Sequence, residues 1–251
     1  MSAPPILGDW DDRLHAESIR LLLAYANVTY EENRYELGPP PSYDASMWTD
    51  AQDALGLALP VLPYWIEPHS GIRLTHEHAI LWHLAEAHGL AGETPTERAT
   101  ARMVLEALRA WGSDFVEVTC CNAPGTPYVD ENVHNFGEAQ CRSTSHKFEL
   151  RRAAYCAETL PQKLVQNAAL LAGGGGGGAP RTWIAGTALP SVADFVLGEL
   201  LAQSRVFEPG CLDGPGLEPL RAFLDRFDTL PQVSGSPSQP FGSLRSPSHP
   251  L

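Results

Sequence analysis

Positive charge is scarce in this sequence of 251 residues. Lys and Arg number 17 against 30 Asp and Glu, for a formal net charge of -13. Nucleic acid and anionic membrane surfaces both select clustered basic residues, and no run of Lys or Arg reverses the acidic balance, so neither is expected as a partner. Long apolar runs are missing too: none approaches the roughly 18–20 residues of a membrane span. Met1 to Gly8 has no basic stretch followed by an apolar core, which argues against a signal peptide. The five cysteines (Cys120, Cys121, Cys141, Cys156 and Cys211) form no CxxC pair and are odd in number. That usage reads as reduced thiols in a cytoplasmic protein.

What is present describes an ordinary folded chain. Hydrophobic residues make up 43% and charged residues 19%, enough apolar side chain for one large core or two smaller ones. The N-terminal part alternates strand and helix patterns. Pro5 to Gly8 fits a buried strand, and Ala16 to Ala26 has Ile19, Leu22, Leu23 and Ala26 at helical spacing. Thr29 to Leu37 alternates as a half-exposed strand, and a Pro-rich loop, Gly38 to Ser42, follows. Val61 to Ile66 is a further strand whose Pro63 belongs at its entrance and suits a cis peptide. Arg73 to Thr75 is a short returning strand, and Glu77 to His88 is a helix. The order β-α-β then β-β-α describes a small open sheet with helices against it.

Beyond Gly89 the pattern is helical. Thr96 to Val118 is one long helix with Pro95 in its first turn, where the missing N–H is tolerated. Phe148 to Leu171 is a second, which Pro161 is expected to kink or divide. Ser191 to Ser204 opens with Ser191 three residues before Asp194, a capping-box spacing. Gly216 to Phe227 carries Leu217, Leu220, Phe223, Leu224 and Phe227 as an apolar stripe. The glycine run 173–178 reads as a flexible loop, since no strand precedes it and no Lys-Ser/Thr pair closes it as in a phosphate loop. Residues 120–147 read as a polar insertion and 234–251 as a disordered Ser/Pro/Gly tail.

Several segments, in order and at matching spacing, resemble the mu-class glutathione transferases. They are Pro5 to Asp11, Ile19 to Tyr25, Tyr30 to Glu32, Tyr43-Asp44, Trp48, Leu55 to Leu57, Leu59 to Tyr64, Ala79 to Leu81, Ser191 to Phe195 and Arg205 to Asp213. The resemblance implies an α/β plus all-α protein, with a thioredoxin-like N-terminal domain over 4–89 that binds glutathione as co-substrate. A glutathione-transferase-type helical domain over 95–233 would supply the electrophile pocket. It also implies a cytoplasmic homodimer.

Carried over residue by residue, the resemblance implies an altered site. A thiolate is needed, and a free thiol has a pKa of about 8.5, so a donor aimed at sulfur helps to populate the anion. The position of the family's tyrosine donor is Asp9, expected to be ionised at the end of the first strand, facing a cleft; a protonated Asp9 could donate, but that would need deep burial. The Arg and Lys that bind the glycyl carboxylate of glutathione correspond to Ala45 and Gln52. The Gln-Ser pair that holds the γ-glutamyl carboxylate corresponds to His76 and Glu77, and Glu77 would compete for the same helix N-terminus. An Asn before the special proline is Val61. Trp10, Trp48, Leu62 and Pro63 remain as family contacts, with core packing as their structural alternative.

Metal chemistry is not expected. His76, His78, His83 and His88 make no HExxH, and Cys120, Cys121, His134, Cys141 and His146 match no familiar zinc spacing. Asp9, Asp11 and Asp12 form an acidic patch. Together these features predict a glutathione-transferase-like protein that is non-catalytic or repurposed as an interaction or structural subunit. The alternative is an active transferase that conjugates glutathione to electrophiles with a thiol activator other than tyrosine.

Overall fold

The computed structural model describes residues 3–13, 15–38, 44–119, 145–174, 178–230 and 233. The first part contains β1 (Ile6–Trp10), α1 (Glu17–Tyr25), β2 (Glu31–Tyr35), α2 (Ser46–Thr49), β3 (Tyr64–Glu67), β4 (Ile72–Thr75) and α3 (Glu77–Ala87). Among the described residues the rest is helical: α4 (Pro95–Thr119), α5 (Ser145–Ala154), α6 (Leu160–Leu171), α7 (Val192–Phe207) and α8 (Glu218–Phe227). The expected order of strands and helices holds. The short α2 and the 3-10 turn Gln52–Leu55 were not anticipated, being too brief to carry a periodic signal.

The strands order as β2-β1-β3-β4. β1 runs parallel to β2, which requires the α1 crossover, and antiparallel to β3. β1 is therefore interior, and its side chains alternate between two covered faces. Leu7 enters the large core beneath α1 and α3. Ile6 and Trp10 pack on the opposite face against a second cluster built from Tyr35, Trp48, Tyr64 and Ile66. Gly8 lies between them because Tyr64 needs the space: a Cβ at Gly8 would stand 2.1 Å from Tyr64 Cε1.

The large core is continuous from Leu7 and Ile19 through Trp111 and Phe195 to Phe227, and so joins the sheet to the helical part. α7 sits at its centre and is buried on nearly every side, so apolar residues occur on all its faces and its Asp194, Glu199, Gln203 and Ser204 are buried with them. A Cβ on Gly198 would lie 2.5 Å from the Phe227 ring, so this glycine sets the close approach of α7 and α8.

The helix expected over 148–171 is divided as Pro161 predicts. A π-turn at Tyr155–Thr159 separates α5 from α6, and it contains Ala157, whose carbonyl loses its α-helical donor at Pro161. Buried Tyr155 occupies the π-turn and accepts a hydrogen bond from Trp111 Nε1 at 2.9 Å. The expected insertion lies outside the described residues up to 144, and 145–147 belong to α5. Most of the Pro-rich loop, 175–177 of the glycine run and the tail 234–251 also lie outside them.

α7 starts as its sequence predicts. Asp194 Oδ2 accepts the Ser191 N–H at 2.8 Å and the Ser191 hydroxyl at 2.7 Å, while Oδ1 accepts the Ile184 N–H at 2.8 Å. Asp194→Ala leaves those buried donors unpaired at the start of the central helix. It should lower unfolding stability by about 2–4 kcal/mol, read as a fall in the urea midpoint with unchanged slope.

Candidate functional site

Alternation along β1 places Asp9 on the same face as Leu7, under α1, rather than past the strand end. β1 continues to Trp10, and Asp9 pairs in register with Arg34 of β2. The side chain is 1% exposed, so the expectation of a group facing an open cleft is overturned. Asp9 Oδ2 accepts the Ala16 N–H at the entrance to α1 at 3.0 Å and lies 3.9 Å from Arg20 Nη2. Oδ1 is buried without a hydrogen-bond partner. Burial, reinforced by Asp12, pushes this carboxyl up to about 7, against the lowering effect of Arg20 and of the Trp10 and Ala16 amides.

The other expected positions divide between the two faces of the sheet. Trp48 is buried in the second cluster, edge-on to Tyr35 with ring centroids 5.2 Å apart and stacked on Tyr64 at 6.0 Å. Trp10 and Leu62 pack against the same cluster, and Leu62-Pro63 is cis. Tyr64 is held by Asn33 Nδ2 at 2.9 Å and by the Tyr35 hydroxyl at 2.9 Å. Both tryptophans therefore have packing partners in this cluster. Ala45 precedes α2 and is buried, Gln52 is half-buried in the 3-10 turn, and Val61 is exposed.

His76 and Glu77 form the entrance to α3. His76 is exposed with φ of 70°, and its Nδ1 is 3.0 Å from Thr75 Oγ1. Glu77 is half-buried, and its carboxyl is pushed up to about 8 by burial, then by the Asp9 and Glu199 carboxylates. Near neutral pH this favours the protonated form of Glu77.

An ion-pair seam joins this region to α7. Arg13, in the loop before α1, forks onto Glu199 with Nε–Oε1 at 3.1 Å and Nη2–Oε2 at 2.9 Å. Gln203 Nε2 donates to the Arg13 carbonyl at 3.1 Å and to Glu199 Oε1 at 2.8 Å. Arg20 reaches Glu32 Oε1 at 2.6 Å, Glu17 Oε2 at 3.3 Å and the Asp12 carbonyl at 3.2 Å. Burial raises the Glu17 carboxyl, with Glu199 adding to it. The sequence reading missed these residues. Their signal was a charge inside an apolar stretch: Glu17 and Arg20 in one helix, Glu199 in another.

Among the described residues, no three His, Cys, Asp or Glu side chains gather as a metal ion would require. His83 instead meets Glu67 at 2.7 Å. Cys120, Cys121, His134 and Cys141 lie outside the described residues. No described helix is long and apolar enough to cross a membrane.

A carboxyl whose folded pKa lies above its unfolded value stabilises fully below the unfolded pKa, and that contribution is lost as pH rises through the folded one. For Asp9 the window runs from 3.8 to about 7. Asp9→Asn keeps an acceptor for Ala16 without the charge. Urea unfolding at pH 5, 6.5 and 8 should show the variant gaining on the parent as pH rises, by on the order of 2–4 kcal/mol at pH 8.

Comparison with known proteins agrees with this arrangement. No family model matches the chain. It is 36% identical over 231 residues to glutathione S-transferase Mu 1 of Oryctolagus cuniculus, covering 92% of this chain and 89% of that protein. It is 33% identical to glutathione S-transferase Mu 1 of Homo sapiens with the same coverage. Among solved structures, the glutathione S-transferase Blo t 8 superposes with a TM-score of 0.72 at 25% identity, covering 92% of this chain and 90% of that one. The Pi-class enzyme of Onchocerca volvulus shares the fold, with a TM-score of 0.69 at 22% identity over 93% of this chain and 91% of that one. With a thioredoxin-like sheet unit, a helical C-terminal part and mu-class similarity along nine-tenths of its length, the chain belongs to the glutathione S-transferase family.

Proposed function

We propose that this chain is a non-catalytic or repurposed glutathione S-transferase-like subunit, whose retained fold serves interaction or assembly. The observation that carries the reading is the burial of Asp9, 1% exposed and turned onto the Ala16 amide at the position of the family's sulfur donor. A strand residue that accepts from the entrance to α1 and has almost no exposed surface is not presented to a thiol. Ala45 and Gln52 add no positive charge for the glycyl carboxylate of glutathione. At about 1.5–3 kcal/mol for each hydrogen bond to a charged group, losing two such contacts and the sulfur donor removes several orders of magnitude in affinity. The proposal carries over the family's homodimeric, cytoplasmic character.

A second reading rests on the same carboxyl. With a pKa near 7 and an unpartnered Oδ1, Asp9 carries a proton about half the time at neutral pH and could donate it to a sulfur once a ligand opens the site. The protein would then be a weak transferase, conjugating glutathione to electrophiles with a carboxylic acid as thiol activator.

Immobilised glutathione and a chromogenic conjugation assay separate the two. The first reading expects no retention, and no turnover above the uncatalysed rate at high glutathione. Retention with turnover that survives Asp9→Ala would overturn it. Turnover that falls at least tenfold in Asp9→Ala, and declines as pH rises through about 7, would instead establish the second.

A further inference from the structure

The seam between the first helix and α7 carries more carboxylates than it can neutralise. Asp9, Glu17, Glu77 and Glu199 converge there from β1, α1, α3 and α7. Asp9, Glu17 and Glu199 are 1%, 1% and 3% exposed. Two guanidiniums serve them, and both are shared. Arg13 makes a two-point contact with Glu199 and lies 3.9 Å from Glu17 Oε1, and Arg20 divides itself between Glu32, Glu17 and Asp9. Three polar atoms remain buried without a hydrogen bond: Asp9 Oδ1, Glu17 Oε1 and Arg20 Nη2. A buried carboxylate without a full set of donors is costly in a low-dielectric interior, and the cheapest remedy is a proton.

We propose that this seam is a proton-operated latch. With protons on Asp9 and Glu77, Arg13 is clamped to α7 through Glu199. When both carboxyls ionise, their mutual repulsion and that between Glu77 and Glu199 are relieved by water entering the seam, and Arg13 lifts from α7. Arg13 is the part of the clamp that solvent already reaches, its side chain being 24% exposed against 3% for Glu199. Opening therefore begins on its side.

The two carboxyls meet titratable neighbours on each packed element, beginning with Glu17 of α1, whose own carboxyl is raised by burial and then by Glu199. In the loop, Asp11 is paired with Arg34 of β2 at 2.9 Å, and Asp12 faces Asp9 and raises it. His15 is held below the usual histidine range by burial, partly offset by Asp12. On β2, Glu32 is taken by Arg20 and Arg34. On α3, burial drives His78 down to about 4. From α7, Glu199 is occupied by Arg13 and Gln203. Asp9 and Glu77 themselves are raised to about 7 and about 8.

Hydrogen–deuterium exchange of the full chain between pH 6 and 8.5, corrected for intrinsic base catalysis, tests the latch. Protection should fall at least tenfold in peptides covering 9–20 and 195–204, with a midpoint between pH 7 and 8, while the β3–β4 hairpin stays unchanged. The double variant Asp9→Asn, Glu77→Gln should keep the seam protected across the range, and His15→Gln should retain the transition. Should the double variant fail to fold, each single substitution must still shift the midpoint. Constant corrected protection in the parent, a transition that persists in the double variant, or single variants with the parental midpoint would overturn the proposal.

Discussion

β1 lies between β2 and β3, with α1 and α3 across one face and the Trp48 segment across the other, so it has no side open to water. Each residue on it must be apolar, absent or neutralised. Leu7 meets the first condition and Gly8 the second, its missing Cβ replaced by the Tyr64 ring. Asp9 must meet the third. Its carboxyl is not free to behave as a surface acid, and the Ala16 amide, Arg20 and a proton are the means of neutralising it. The environment at this one position then propagates through Arg20 to β2, and through Glu77 and Glu199 to α3 and α7.

Much of the architecture was legible because it is local. The alternation of short apolar runs with helical spacing located the strands and the first helices, and the Ser191–Asp194 spacing located the start of α7. Pro63 announced the cis peptide before β3. Even the burial of Asp9 was present in the period-two pattern, since it follows Leu7 by two residues. It was misread because the strand was ended at Gly8, and moving a boundary by two residues exchanges a cleft for a core. The division of the helix was legible through Pro161, whereas the π form of the turn at Tyr155–Thr159 and the burial of Tyr155 leave no comparable mark in the sequence.

The seam was not legible for a different reason. Arg13 and Glu199 are separated by 186 residues, and no spacing rule links them. What the sequence displays is only an anomaly: Glu17 and Arg20 in an apolar helix and Glu199 in another. A charge in such a stretch has to find a partner across the fold, and the identity of that partner is a property of tertiary packing.

The exchange of a tyrosine hydroxyl for a carboxyl differs in kind from the loss of a side chain. Truncation at position 9 would leave room that water or a ligand could use. A carboxyl beside Arg20, with Glu17, Glu77 and Glu199 nearby, instead places this position within a cluster of acids. On the proposed reading, neutral Ala45 and Gln52 offer no attraction to an anionic ligand, and the buried acids raise the cost of bringing further negative charge near Asp9. On that reading the position that in the family meets a thiol is here answerable to the proton occupancy of the protein's own core.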